Sequence, residues 1–181
     1  KDDFQLDKWD GQNWDAQYQY LRGLRPSQSR TWELQDPGDY QQHQTEIALD
    51  GLPFGNYWVF VSDNIDFQSN NGPLVYTNFA VSNIASVNYN EQGSTRLVLA
   101  DRNTGAPLAG VKLDFFKNDY NSGRRKTQNV GSAISDRDGF AKSNIAQNQS
   151  VQVRATLGKD TLWLGQAYNY RQRENPERIP Q

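Results

Sequence analysis

Hydrophobic residues in this chain recur mainly at every second position. Trp14, Ala16, Tyr18 and Tyr20 alternate with Asp15, Gln17 and Gln19; Trp32 and Leu34 follow, then Ile47 and Leu49, then the run Tyr57-Trp58-Val59-Phe60-Val61. Period two puts successive side chains on opposite faces of an extended strand, and helical spacing is nearly absent, so the pattern predicts antiparallel β-structure. Each run ends in residues that reverse a chain: Gly23 to Pro26, Asp36-Pro37-Gly38 and Leu52-Pro53-Phe54-Gly55. There Pro fixes φ and Gly admits values closed to other residues. From Leu74 onward the sequence predicts strands over Tyr76–Ile84, Ser86–Tyr89, Thr95–Ala100, Val111–Phe116, Gln128–Ile134, Val151–Thr156 and Thr161–Tyr168. Strands recurring at this spacing are those of a sandwich.

Two turns carry the strongest local signal. Asp101-Arg-Asn-Thr104-Gly105-Ala-Pro107-Leu-Ala-Gly110-Val111 lies between two strand-like runs, and Ser135-Asp136-Arg137-Asp138-Gly139 follows about twenty residues later. Asp, Asn, Thr, Gly and Pro clustered in this way specify tight hairpins. A polar cluster at Gln68 to Pro73 can form neither ladder nor core and reads as a domain boundary. The expected organisation is a β domain over residues 1–72, a complete seven-stranded sandwich over 73–170, and a charged linker over 171–181. The first domain falls short of the roughly 100 residues of a seven-stranded sandwich, so it is expected either to lack a strand at its N-terminus or to be an abbreviated domain. The fold class is all-β, two tandem antiparallel sandwiches of immunoglobulin or fibronectin type.

Composition narrows the function. The 181 residues contain no cysteine, which removes disulfides, thiolate metal sites and cysteine nucleophiles, and no methionine, so the chain reads as a segment of a larger protein. Its 19 basic and 21 acidic residues are well mixed, and the basic clusters Arg124-Arg125-Lys126 and Arg171, Arg173, Arg178 are too short for a nucleic-acid face. No nucleic-acid partner is expected. No apolar run reaches the roughly 18–20 residues of a membrane span, so direct membrane insertion is not expected.

Candidate chemistry is sparse. His43 is the single histidine and has no nucleophile signature beside it. Asp36 and Asp39 would pair as glycosidase carboxylates only in a defined cleft. Asp136-Arg137-Asp138-Gly139 has the opening of a calcium loop, but Phe140, Ala141 and Gln147 occupy positions where that loop needs a ligand, a Gly and a Glu. Trp9, Trp14, Trp32, Trp58 and Trp163 suit either core packing or a sugar-stacking platform. Asn148-Gln149-Ser150 matches a glycosylation acceptor, a match frequent by chance. No catalytic, cofactor-binding or metal residue is assigned, no cofactor is expected, and the chain is not expected to be an enzyme.

The order of the turn motifs resembles the bacterial α2-macroglobulin family and its macroglobulin-like β-sandwich domains. Leu52-Pro53-Phe54-Gly55-Asn56-Tyr57-Trp58-Val59 is similar to the closing strand of one such domain, and Phe79-Ala-Val81-Ser82-Asn83-Ile84 to the opening strand of the next. Asp101 to Val111, Asp136 to Gly139 and Gly158-Lys159-Asp160-Thr161-Leu162 resemble the second domain's hairpins and its last turn. The carboxypeptidase-regulatory or transthyretin-like sandwich shares two of these turns. The resemblance implies a scaffold segment of a periplasmic or envelope-associated inhibitor, with a parent that a lipid anchor could hold. That parent would trap proteases when cleavage of a bait segment collapses the surrounding domains. Partners would be neighbouring domains of the same parent and the proteases it engages. The family's thioester needs Cys-x-Glu-Gln, which a chain without cysteine cannot contain. A glycan-binding or adhesin-type module is the alternative, and it would require tryptophans exposed on a shared face.

Overall fold

The computed structural model describes residues 14–34, 37–68, 72–91, 94–121, 124–143, 145 and 149–169. They form two compact units, residues 11–52 and residues from 53 onward. The first unit holds the one helix among the described residues, α1 (Trp14–Gly23), followed by chain without a β-ladder. The strand expected over Trp14 to Tyr20 is therefore corrected. Tyr18 and Leu21, three residues apart, are buried while Tyr20 is half exposed, which is the spacing of one helical face. Positions 14 and 18 of the alternating run are also spaced by a helical step, and the joint burial of Tyr18 with Leu21, which lies outside the alternation, identifies the helical face. Trp32, Leu34, Ile47 and Leu49 are all exposed and lie outside any strand, so the strands expected there do not form. Arg30 pairs with Asp50.

The second unit is all-β and antiparallel. β1 (Gly55–Ser62) pairs with β2 (Leu74–Val81) as a two-stranded sheet, in register from Gly55 opposite Val81 to Ser62 opposite Leu74. The polar stretch at 68–73 lies inside this hairpin. Trp58, Phe60 and Tyr76 group on one face of the hairpin, with ring centroids 5.6–6.5 Å apart. Tyr57 stacks on Phe79 on the other face, and the Tyr57 hydroxyl donates to the Pro53 carbonyl at 2.7 Å.

The sandwich itself consists of seven strands in two sheets. β3 (Ile84–Glu91), β4 (Ser94–Asp101) and β7 (Phe140–Lys142) form a three-stranded sheet in the order β3-β4-β7. β5 (Lys112–Asn121), β6 (Arg124–Ile134), β8 (Ser150–Leu157) and β9 (Asp160–Tyr168) form a four-stranded sheet in the order β6-β5-β8-β9. The seventh strand is β7, which the sequence did not predict, because three residues are too few to show a period of two. The expected strand at Tyr76–Ile84 appears as β2 and pairs with β1.

Alternation sets the core. On β4, Leu97 and Leu99 point inward; on β5, Leu113 and Phe115; on β8, Val151, Val153 and Ala155. With Ile84, Val111, Ala141 and Ala167 they make one cluster joining the two sheets, and each large member contributes about 1.5–3 kcal/mol through removal from water. No helix among the described residues is long and apolar enough to cross a membrane. Phe115, 2% exposed at the centre of this cluster, has the greatest volume of the fully buried side chains. Phe115→Ala is expected to lower unfolding free energy by about 3–5 kcal/mol, measured by urea denaturation. A loss under ~1 kcal/mol would contradict the assigned core.

Candidate functional site

The two turns singled out in the sequence meet at one end of the sandwich. At the end of β4, Asp101 Oδ1 accepts hydrogen bonds from the backbone N–H of Asn103 at 3.0 Å and of Thr104 at 2.9 Å, and from the Thr104 hydroxyl at 3.0 Å. The chain then folds back: Gly105 N–H donates to the Asp101 carbonyl and Asp101 N–H to the Ala106 carbonyl, each at 2.8 Å. Pro107, which has no N–H to lose, makes the bridge to Ala100. Asp136 repeats the device in the second turn, its Oδ1 accepting from Asp138 N–H at 3.0 Å and Phe140 N–H at 2.9 Å. Both carboxylates serve as Asx-type caps of their own loops.

Leu99 and Ser135 join the turns. Leu99 N–H donates to the Gly139 carbonyl at 2.8 Å, and the Leu99 carbonyl accepts from Leu108 N–H at 3.0 Å. The buried Ser135 hydroxyl donates to the Leu108 carbonyl at 2.6 Å and accepts from Val111 N–H at 2.9 Å. Gly110 N–H reaches the Ser135 carbonyl at 2.9 Å and Ser135 N–H the Val111 carbonyl at 3.0 Å. Gly139 has φ of +78°, and a Cβ there would sit 2.3 Å from the Leu99 carbonyl oxygen. Both its conformation and its space require glycine.

A second anchor ties the entry of β3 to the β8–β9 turn. The buried Asp160 accepts from Asn83 N–H at 2.8 Å, across 77 residues of sequence. Arg102 donates from Nε to the Ser82 carbonyl at 3.1 Å and from its terminal nitrogen to the Ile84 carbonyl at 3.0 Å.

A third cluster lies on the outer face of the four-stranded sheet, and the sequence did not reveal it. Lys112, Asp114 and Phe116 alternate with the inward Leu113 and Phe115 on β5, and register brings Arg154 of β8 opposite Asp114. Arg154 donates to Asp114 Oδ2 at 3.1 Å, and Lys112 Nζ lies 3.1 Å from Asp114 Oδ1. The guanidinium stands over the Phe116 ring at 5.1 Å and the Trp163 ring at 5.8 Å, and the two rings are 5.4 Å apart. Cation–π contact of this kind favours Arg with its planar face on the ring. Asp114 is only 3% exposed. Its burial raises the carboxyl, but the bonds from Arg154 and Lys112 outweigh this and hold it below the ordinary carboxylate value. The one signal in the sequence was the Lys112, Asp114, Phe116 alternation; Arg154, forty residues away, could be added only from strand pairing.

The other residues singled out in the sequence do not converge. His43 Nε2 lies 2.8 Å from Asp39 Oδ1 on an exposed segment, and its bond holds the Asp39 carboxyl low. Asp36, Trp9 and Asn148 lie outside the described residues, as does the 171–181 segment. Trp32 is exposed, Trp58 belongs to the hairpin and Trp163 to the outer sheet face. Arg124 and Arg125 open β6. No group of three or more acidic or histidine side chains that could hold a metal ion occurs among the described residues.

No family model matches the chain, and no curated protein matches it. Solved structures of α2-macroglobulin do. The crystal structure of native alpha-2-macroglobulin from Escherichia coli spanning domains NIE-MG1 aligns with a TM-score of 0.39 and 19% identity, covering 50% of this chain and 39% of that one. The structure of the same protein spanning domains MG0-NIE-MG1 aligns with a TM-score of 0.44 and 18% identity, covering 62% of this chain and 34% of that one. The chain thus spans well under half the length of either neighbour.

Two outcomes follow from this geometry. Gly139→Ala is expected to cost at least about 2 kcal/mol, from a left-handed conformation forced on a side chain and from the clash with the Leu99 carbonyl. Thermal denaturation matching that of the parent chain would contradict the interlocked turns. Asp101, held low chiefly by the Thr104 backbone N–H and then by the Thr104 hydroxyl, acts in the same direction as Asp114. Folded values below the unfolded ones give stability that is present above about pH 4 and is lost as pH falls through the folded values. A urea-midpoint series from about pH 6 to pH 2 should therefore decline steeply below pH 4. In Asp114→Asn the midpoint should be lower at pH 6 and the acid decline shallower; identical profiles for the two proteins would exclude this role for Asp114.

Proposed function

We propose that this chain is a structural scaffold segment of a bacterial α2-macroglobulin-like, protease-trapping inhibitor of the periplasm or cell envelope, and is not itself an enzyme. One observation carries the reading: the residues of the resembling motifs, Asp101, Ser135, Asp136 and Gly139, close on one another and on Leu99. The hydrogen bonds of these polar groups run to backbone and hydroxyl groups of the turns themselves, which supports a structural role. Asp160, in the last turn of the same resemblance, serves likewise as an internal anchor. A segment built in this way holds its neighbours at a defined angle while other parts of the parent rearrange.

In this reading the parent engages the protease, and cleavage of a bait elsewhere closes neighbouring domains around it. Covalent capture through a thioester would use a cysteine outside this chain, since none is present here. The contacts of the segment itself are with adjoining domains of the same parent. The glycan-binding or adhesin reading remains the alternative; it requires tryptophans exposed on a shared face, and Trp32, Trp58 and Trp163 lie in three separate segments.

The test compares this chain with its parent against several endoproteases. The parent is expected to suppress cleavage of a large protein substrate more than that of a small peptide, because a closed cage excludes by size. The chain alone is expected to inhibit neither and to form no high-mass conjugate. Stoichiometric inhibition by the chain alone would overturn the scaffold reading. A parent without effect on proteolysis, together with saturable binding of this chain to a glycan array, would establish the alternative.

A further inference from the structure

A groove of about 240 Å³ opens between the two sheets where β3 and β9 run close without sharing hydrogen bonds. Leu97, Val153 and Ala167 line its interior, each 1% exposed. Ser86, Asn88 and Gln166 line its mouth. Ser86 and Asn88 pair across the ladder with Leu99 and Leu97, and cross-strand partners share a face. Both therefore occupy core-facing positions of β3, yet both are exposed. A hydroxyl and an amide thus rim an apolar slot that the sandwich leaves uncovered, and no residue lining it carries a charge.

The two edges beside the groove differ. β9 is broken by a bulge: Gly165 has φ of +82°, and the register with β8 shifts between Gln152 and Arg154. Bulges twist an edge away from further pairing. β3 pairs with β4 in unbroken register from Ile84 to Glu91, and its stretch Ile84–Tyr89 contains no charge, Pro or Gly to guard it. Among the described residues β4 is the only ladder partner of β3. The unguarded edge is the one whose core-facing side chains open into the slot.

We infer that this groove binds an extended, uncharged peptide segment of another polypeptide, which adds as a strand to the free edge of β3 and inserts an apolar side chain over Leu97 and Val153. The backbone of β3 supplies the hydrogen bonds of strand addition. The neutral lining offers no partner to a charged side chain, whose desolvation would go uncompensated. Size selects a side chain over a cofactor, since small-molecule sites start at roughly 300 Å³. The inference is independent of the scaffold reading.

The probe is an acetylated, amidated hexapeptide alternating valine and threonine, titrated into the isotopically labelled full chain and followed by NMR. Saturable shifts are expected at Ser86 to Asn88 and Leu164 to Ala167, with new exchange protection of β3 amides. N-methylation of alternate peptide nitrogens on the pairing edge should weaken binding at least roughly tenfold through the lost hydrogen bonds. Ser86→Lys, at an exposed position, should abolish binding at unchanged melting temperature. Three results would each overturn the inference: equal affinity for the N-methylated peptide, equal affinity for a peptide with aspartate in place of valine, or a footprint on β1 with none on β3. Self-association of the chain through the same residues without peptide would replace the proposed occupant with a second copy.

Discussion

The peptide unit of Leu99 is the joint on which the sandwich depends. Its N–H is taken by the Gly139 carbonyl and its carbonyl by Leu108 N–H, while its side chain lies at the centre of the core. One residue therefore connects the Asp101 loop, the Asp136 turn and the apolar interior. Buried backbone groups left unpaired cost roughly as much as a lost hydrogen bond, so neither turn can move without exposing the other's partner. The close approach needed at this joint explains why the residue facing the Leu99 carbonyl has no side chain.

The chain uses its polar residues in two different ways. At the turns, Asp and Ser side chains substitute for missing backbone partners, Asp101 and Asp136 each accepting N–H bonds from their own loops, and those at Asp101 hold its carboxyl below the ordinary value. On the outer face of the four-stranded sheet, Asp114 is buried by its neighbours and kept ionised by Arg154 and Lys112, with Phe116 and Trp163 shielding the guanidinium. Removing one member of such a group leaves an uncompensated charge, so these residues act as a unit.

Much of the strand layout was legible. All seven strands expected after Leu74 exist, because alternation is a local property, but the two turn-rich stretches are not the hairpins expected of them: one leads from β4 to β5 and the other from β6 to β7, each crossing from one sheet to the other. The first fifty residues misled for the same local reason: α1 satisfies alternation and helical spacing together, and the exposed runs around Trp32 and Ile47 have no partner strand to make a ladder. The clusters around Asp114 and Asp160 were not legible, since their members are separated by 40 and 77 residues.

By itself the sequence determined an antiparallel β-protein, the positions of its principal turns and the approximate ranges of its strands after Leu74, because side-chain alternation and turn preference act within a few bonds. Only the tertiary structure decided which strand joins which sheet. It paired β2 with β1 and made Phe140–Lys142 the seventh strand of the sandwich. It also left β3 with an open edge beside an apolar slot and placed Arg154 against Asp114. Strand partnership depends on contacts between residues far apart in the chain, and no local pattern encodes which of several compatible edges will meet.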